Sequence, residues 1–228
     1  MKTILITGAT DGLGKAIALQ LSQKNYKLIL TGRNQEKMNQ LLSLIPNELV
    51  VYHQCFDMLE QASIYAFNEK IKNIKVDILI NNAGANLKKE KVEALSYKNM
   101  VDMMQLNCFA HVMMIQGVYP QMKQRQEGHI INVLSSCCKF DNETMAGYTA
   151  SKQAMDAVSH ILTKEARNDH IKVSSVYPGG IDTPFRSIAN HNYLKPETVA
   201  TAIIQCIELP EEANMHEIVL RPLCESNF

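Results

Sequence analysis

Three short apolar runs, Ile4-Leu5-Ile6, Leu28-Ile29-Leu30 and Ile78-Leu79-Ile80, constrain the fold of this chain more than any other feature. A strand with one wet face alternates apolar and polar side chains, so runs without that alternation require cover on both faces of their sheet. Longer segments of helical character separate such runs along the whole chain. Strands are expected at 3–7, 27–31, 49–54, 77–81, 129–134, 172–177 and 217–221, and helices at 13–24, 35–44, 60–73, 97–126, 146–168 and 196–209. Repeated strand-helix units need right-handed crossovers, and the result is an α/β fold: a doubly wound, seven-stranded, mainly parallel sheet with helices on both faces. No Gly/Ser-rich or Pro-rich linker divides the chain, and there is no internal repeat beyond the strand-helix rhythm. Residues 1–228 are therefore expected to form a single domain.

Composition removes several classes of function. Lys plus Arg and Asp plus Glu both number 23, so the formal net charge is zero and the basic excess of a general nucleic-acid binder is missing. The first apolar run is too short for a secretory signal, and no later run could cross a bilayer without meeting a charge or a breaker. A soluble, cytoplasmic protein with no membrane partner is expected. The six cysteines, at 55, 108, 137, 138, 206 and 224, contain no Cys-x-x-Cys pair, and the seven histidines lack metal-ligand spacing. Neither a disulfide framework nor a metal site is expected. The adjacent pair Cys137-Cys138 reads either as small buried thiols or as part of a pocket wall.

The glycine-rich run Thr7-Gly8-Ala9-Thr10-Asp11-Gly12-Leu13-Gly14 falls where the first strand turns into the first helix. Glycines there allow a tight turn and let backbone N–H groups approach a pyrophosphate, and the helix N-terminus adds positive potential. This is the position of a Rossmann-type dinucleotide turn, although the spacing is Gly-x-x-x-Gly-x-Gly rather than Gly-x-Gly-x-x-Gly. The second strand ends Leu30-Thr31-Gly32-Arg33-Asn34. It lacks the carboxylate that would bond both ribose hydroxyls of NAD, while Arg33 offers a guanidinium suited to a ribose 2′-phosphate. NADP(H) is the expected cofactor, in preference to NAD(H).

Tyr148 and Lys152, in the run Tyr148-Thr149-Ala150-Ser151-Lys152, would be neighbours on one helix. A fixed ammonium beside a phenol favours the phenolate and brings it into the range of acid-base work. Ser135 stands upstream at the end of an expected strand and supplies a hydroxyl donor. Ser136 follows it, but strand neighbours face opposite ways, so only one can point at a substrate.

With these pieces in register, the chain resembles the short-chain dehydrogenase/reductase family from residue 3 to about residue 184. The motifs that carry the resemblance are the glycine turn, Asp57, Asn81-Asn82-Ala83-Gly84, Asn107, Ser135, Tyr148, Lys152, and Pro178-Gly179 with Thr183. The resemblance implies that Ser135 orients a carbonyl and Tyr148 is the general acid or base. Lys152 would tune Tyr148 and, with it, meet the nicotinamide ribose, while Asn107 holds a relay water. It further implies that Gly8, Thr10, Asp11, Gly12, Leu13 and Gly14 cradle the phosphates, and that Asp57 and Met58 meet the adenine. Asn82, Ala83 and Gly84 would lie along the ribose region, and Pro178, Gly179, Ile181 and Thr183 at the nicotinamide.

The expected activity is NADP(H)-dependent interconversion of a carbonyl and an alcohol on a small molecule, by a homodimer or homotetramer. The alternative is a non-catalytic NADP(H)-binding sensor or regulator on the same fold. A sugar-nucleotide epimerase or dehydratase fits less well, because no large C-terminal substrate domain follows. Residues 85–95, 137–145 and 180–193 are expected to form the substrate pocket, with Arg186 a candidate for a carboxylate or phosphate. The 97–126 helix carries more apolar surface than one sheet face needs. That surface, with the Ala154, Ala157, Val158 and Ile161 side of the next helix, fits either the core or a second subunit.

Overall fold

The structure, a computed structural model, describes residues 1–183 and 190–226; the expectation for Arg186 lies outside them. Seven strands, β1 (Thr3–Ile6), β2 (Lys27–Gly32), β3 (Val50–Cys55), β4 (Ile78–Asn81), β5 (Gly128–Val133), β6 (Ile171–Pro178) and β7 (Glu217–Leu220), form one sheet in the order β3-β2-β1-β4-β5-β6-β7. Every pairing is parallel. The chain winds outward from β1 to β3, returns to place β4 beside β1, and winds outward again to β7. At the β1/β4 reversal the connections leave on opposite faces, which opens a crevice at the carboxyl ends of these strands.

Among the described residues seven α-helices cover the sheet: α1 (Gly12–Gln23), α2 (Gln35–Leu42), α3 (Gln61–Ile71), α4 (Tyr97–Met104), α5 (Ala110–Arg125), α6 (Ala146–Ala166) and α7 (Pro196–Ile207). The unalternating runs explain the two-sided cover. Ile4, Ile6, Leu28, Leu30, Ile78 and Ile80 enter one core with Ile17 and Leu21 of α1, Met38 of α2 and Ile203 of α7. Leu5, Ile29 and Leu79, the residues between them, enter the other core with Phe67 of α3, Val118 of α5 and Met155 of α6. By contrast the edge strands β3 and β7 alternate in burial, as edges do when only one face is fully covered.

One element departs from expectation. The helix expected at 97–126 is broken by a π turn, Gln105–Phe109, between α4 and α5. A π turn inserts one residue and locally shifts the hydrogen-bond ladder, and such insertions cluster at functional sites. Here it is centred on Asn107. Of the apolar surplus, Met103, Met113, Met114 and Met122 are buried, while Val101, Phe109 and Ile161 remain exposed. Among the described residues no helix is long and apolar enough to cross a membrane, and no group of His, Cys, Asp or Glu could hold a metal ion.

Candidate active site

The turn from β1 into α1 is built for close approach. Gly8 and Gly12 have φ of +66° and +47°, values that cost other residues energy. A Cβ on Gly14 would stand 2.1 Å from the Gly8 carbonyl oxygen, so the turn can close only on glycine. Asp11 caps α1, its Oδ1 accepting from Gly12 N at 2.8 Å. The Asn-Asn-Ala-Gly segment after β4 ties the turn down from the side. Asn82 Nδ2 donates to the Thr7 and Gly8 carbonyls at 2.9 and 3.2 Å, and Thr7 Oγ1 accepts from the Asn82 and Ala83 N–H groups.

One cleft of about 720 Å³ runs along the carboxyl ends of the strands. Every catalytic and cofactor-binding residue expected from sequence lines it except Asn107, which sits behind its wall, fully buried. Asn107 Oδ1 accepts from Ala85 N at 3.0 Å, and its Nδ2 donates to Ala85 O and to Ser151 Oγ. Both amide hydrogens are thereby used. A relay water would have to meet the second lone pair of Oδ1 or a main-chain carbonyl freed by the π turn.

Lys152 is 3 % exposed, and its Nζ donates to Val133 O at 2.9 Å. Burial pushes its pKa down to about 8, against a smaller opposing pull from nearby cysteine thiols. Gly84 is the residue that makes room: a Cβ there would lie 2.8 Å from Asn107 Oδ1 and 3.1 Å from Lys152 Nζ. Tyr148, one helical turn before Lys152, packs with Met103 and Cys137. The helix that carries both is fixed by a buried chain: Asn81 Nδ2 to Asn132 Oδ1, Asn132 Nδ2 to Ser159 Oγ, and Ser159 Oγ to Met155 O. On its other side Tyr177 donates to Asp156 at 2.7 Å.

Ser135 follows β5 by two residues in extended backbone, and its Oγ accepts from Cys137 N at 3.3 Å. Ser136 also lines the cleft but is the more buried of the two. Cys137, in the wall beside Ser135, has its pKa drawn down, chiefly by a hydrogen bond from Cys138, whose own value rises in consequence. Cys137 is thus both buried and part of the cleft wall, whereas Cys138 is half-buried behind it.

At the far end, Arg33 is 73 % exposed, with one long contact to Asp57 at 3.9 Å. Asp57 Oδ1 accepts from Leu59 N two residues on, so it shapes the turn before α3 rather than capping that helix. Lys37 pairs with Asp11. This cation offsets a carboxylate that would otherwise repel an anion at the glycine turn.

These features fit a phosphate-bearing dinucleotide: a glycine cradle at a helix N-terminus, two cations past the end of β2, and a deep far end with a hydroxyl, a phenol and an ammonium. A sequence profile of the family described as short chain dehydrogenase matches residues 2–194. The chain belongs to the short-chain dehydrogenase/reductase family. An oxidoreductase of Staphylococcus epidermidis, named as uncharacterized, is 29 % identical over 97 % of both chains. Among solved structures, serine dehydrogenase from Escherichia coli is 28 % identical with a TM-score of 0.85, covering 98 % of this chain and 99 % of that one. A closed form of serine dehydrogenase complexed with NADP+ is 27 % identical with a TM-score of 0.86, over 98 % and 96 % of the two chains.

For this short-chain dehydrogenase, three cleft features escaped the sequence reading. Lys37 reaches the phosphate end from α2, one turn beyond Arg33. Basic residues in the first turn after β2 were the available signal. His111 lies under the wall, its Nε2–H donating to Ala83 O at 2.6 Å, and burial pushes its pKa down to about 3. It is neutral, and it holds the Asn-Asn-Ala-Gly segment from below. Glu225, from the C-terminal segment, also lines the cleft.

Proposed function

We propose that this oxidoreductase binds NADP(H) and interconverts a small-molecule carbonyl and its alcohol, with Tyr148 as the general acid in reduction and the base in oxidation. One observation carries the reading: Ser135, Tyr148 and the buried ammonium of Lys152 converge on the same cleft as the glycine turn. The NADP complex of serine dehydrogenase supports the cofactor, as does Arg33 standing where β2 lacks a carboxylate.

The cofactor would lie from Arg33 and Lys37, across the glycine turn, to Pro178, Gly179, Ile181 and Thr183, and when bound it supplies or accepts the hydride. The protein does the rest. Ser135 Oγ, whose acceptor side is taken by Cys137 N, turns its hydrogen toward a substrate oxygen and fixes the carbonyl's orientation. Tyr148 gives its proton to that oxygen as negative charge develops on it. Lys152 stabilises the phenolate left behind, and its charge acts strongly because the site is nearly dry. A proton returning from solvent would pass by way of a water held near the π turn at Asn107. Burial of this end keeps competing water away from the reacting atoms.

The substrate end is walled by Leu87, Lys89, Asn142, Glu143, Met145 and Tyr193, a mixture that favours a small polar substrate. The exposed apolar side chains Val101, Phe109 and Ile161 support assembly into a homodimer or homotetramer. The test is a panel of small ketones, 3-hydroxy acids including serine, and acyl thioesters, followed by absorbance of the reduced nicotinamide with NADP(H) and NAD(H) in parallel. Turnover of at least one panel member with clear preference for NADP(H) is expected; preference for NADH would overturn the cofactor assignment.

A further inference from the structure

The segment after β7 turns back across the catalytic end of the cleft, and one side chain in it touches the turn that follows β6. Glu225 Oε1 accepts from Gly180 N at 2.7 Å, while Oε2 accepts from Arg221 Nε at 3.1 Å. One step earlier, Gly179 N donates to Leu220 O at 2.7 Å. The fit is close: a Cβ on Gly179 would stand 2.4 Å from Glu225 Oε2, so any larger residue there would displace the carboxylate. The other side of the turn is held too, with Leu194 N donating to Gly180 O and Asp182 N to Leu194 O, both at 2.9 Å. The backbone from Gly179 to Asp182 is thus clamped between the C-terminal segment and Leu194.

The Arg221–Glu225 pair is well shielded, with side-chain exposures of 10 % and 19 %, so water and salt weaken it less than a surface pair. Its arginine also lies over the Phe140 ring, 4.1 Å from the ring centre, and Phe140 belongs to the loop that follows Ser135. The chain Phe140, Arg221, Glu225, Gly180 therefore links the loop beside the substrate to the turn beside the nicotinamide. A carboxylate acceptor also strengthens the bond to a backbone N–H beyond that of a neutral group.

We infer that Glu225 is a positioning residue of this enzyme, holding the Gly179–Gly180 turn in the shape that receives the nicotinamide end of NADP(H). The inference rests on the NADP(H) reading above, and binding measurements separate the two. NADPH and adenosine 2′,5′-bisphosphate are titrated into the wild-type protein, Glu225→Ala and Glu225→Gln, by nicotinamide fluorescence and calorimetry. The bisphosphate carries the adenosine half alone and does not reach the turn.

Glu225→Ala should raise the Kd for NADPH about tenfold, the size of one lost charge-assisted bond, while bisphosphate affinity stays within about twofold. Glu225→Gln keeps an acceptor for Gly180 N but loses the arginine pair. It should weaken NADPH about threefold, again without affecting the bisphosphate. NADPH affinity at the wild-type value in both variants, or equal losses for both ligands, overturns the inference. If the alanine variant does not fold, the glutamine variant decides by the same two readouts. Failure of the wild-type protein to bind NADPH at all would instead overturn the cofactor reading.

Discussion

At the β2 end of the cleft the charged groups stand in solvent, with Arg33 73 % and Lys37 46 % exposed; at the β5 end Lys152 is 3 % exposed. The same kind of charge therefore does different work at the two ends. In water a cation attracts an anionic group weakly and salt screens it, so the open end can select a cofactor but not drive chemistry. In the closed end a cation costs desolvation energy, visible in the lowered pKa of Lys152, and on the proposed mechanism that same burial lets it act at high strength on the Tyr148 phenol. The proposed function thus puts cofactor choice where charge is cheap to expose and proton chemistry where charge is hard to bury.

Three substitutions probe that contrast. The largest effect is expected at the closed end: Tyr148→Phe removes the proton donor and should lower kcat roughly 10²–10⁴-fold, with NADPH affinity unchanged in a direct titration. Retained turnover would mean that the closed end is not the reaction centre.

Next comes the cost of the buried ammonium. The folded-state pKa of Lys152, about 8, lies below its ordinary value of 10.5, so folding is penalised while both states are protonated. The penalty is full below pH 8 and is relieved as pH rises toward the unfolded value, because in that window the unfolded chain holds the extra proton. Denaturant melts of wild type and Lys152→Met at pH 7 and pH 10 should show the wild type gaining about 2.5 kcal/mol relative to the variant. A pH-independent difference would place Lys152 in a wetter site than its burial indicates.

The smallest effect belongs to the open end. Arg33→Ala should raise the KM for NADPH about tenfold, or somewhat over 1 kcal/mol, and leave the KM for NADH nearly as it was. Added salt should narrow the difference between wild type and variant, whereas the rate loss of Tyr148→Phe should be indifferent to salt.

Much of the fold was legible because it is written in local periodicity. The unalternating runs required two-faced cover, and the structure distributes Ile4 and Ile6 to one core and Leu5 to the other. The expected π-free helix at 97–126 was the exception. Nothing in its apolar pattern marks the break at Gln105–Phe109, which depends on Asn107 finding Ala85 and Ser151 across the fold. In the site, the contiguous pieces were readable: the glycine turn is a single run, and Tyr148 and Lys152 share one helix. Asn82 was expected along the ribose region, yet its side-chain partners are the Thr7 and Gly8 carbonyls, a tie that requires β4 to lie beside β1.

Glu225 and His111 mark the limit. A glutamate four residues from an arginine near a chain end carries no local signal of a cofactor turn. Its bond to Gly180 spans 45 residues and exists because β7 pairs with β6. His111 likewise looks like one more polar residue in a helix until the fold places it beneath Ala83. Strand and helix periods, turn glycines and one-turn neighbours follow from backbone geometry over a few residues, and the amino-acid order alone sets them. The burial that lowers the pKa of Lys152 and the clamp on Gly179–Gly180 arise from the packing order of the strands, which no short stretch of chain contains.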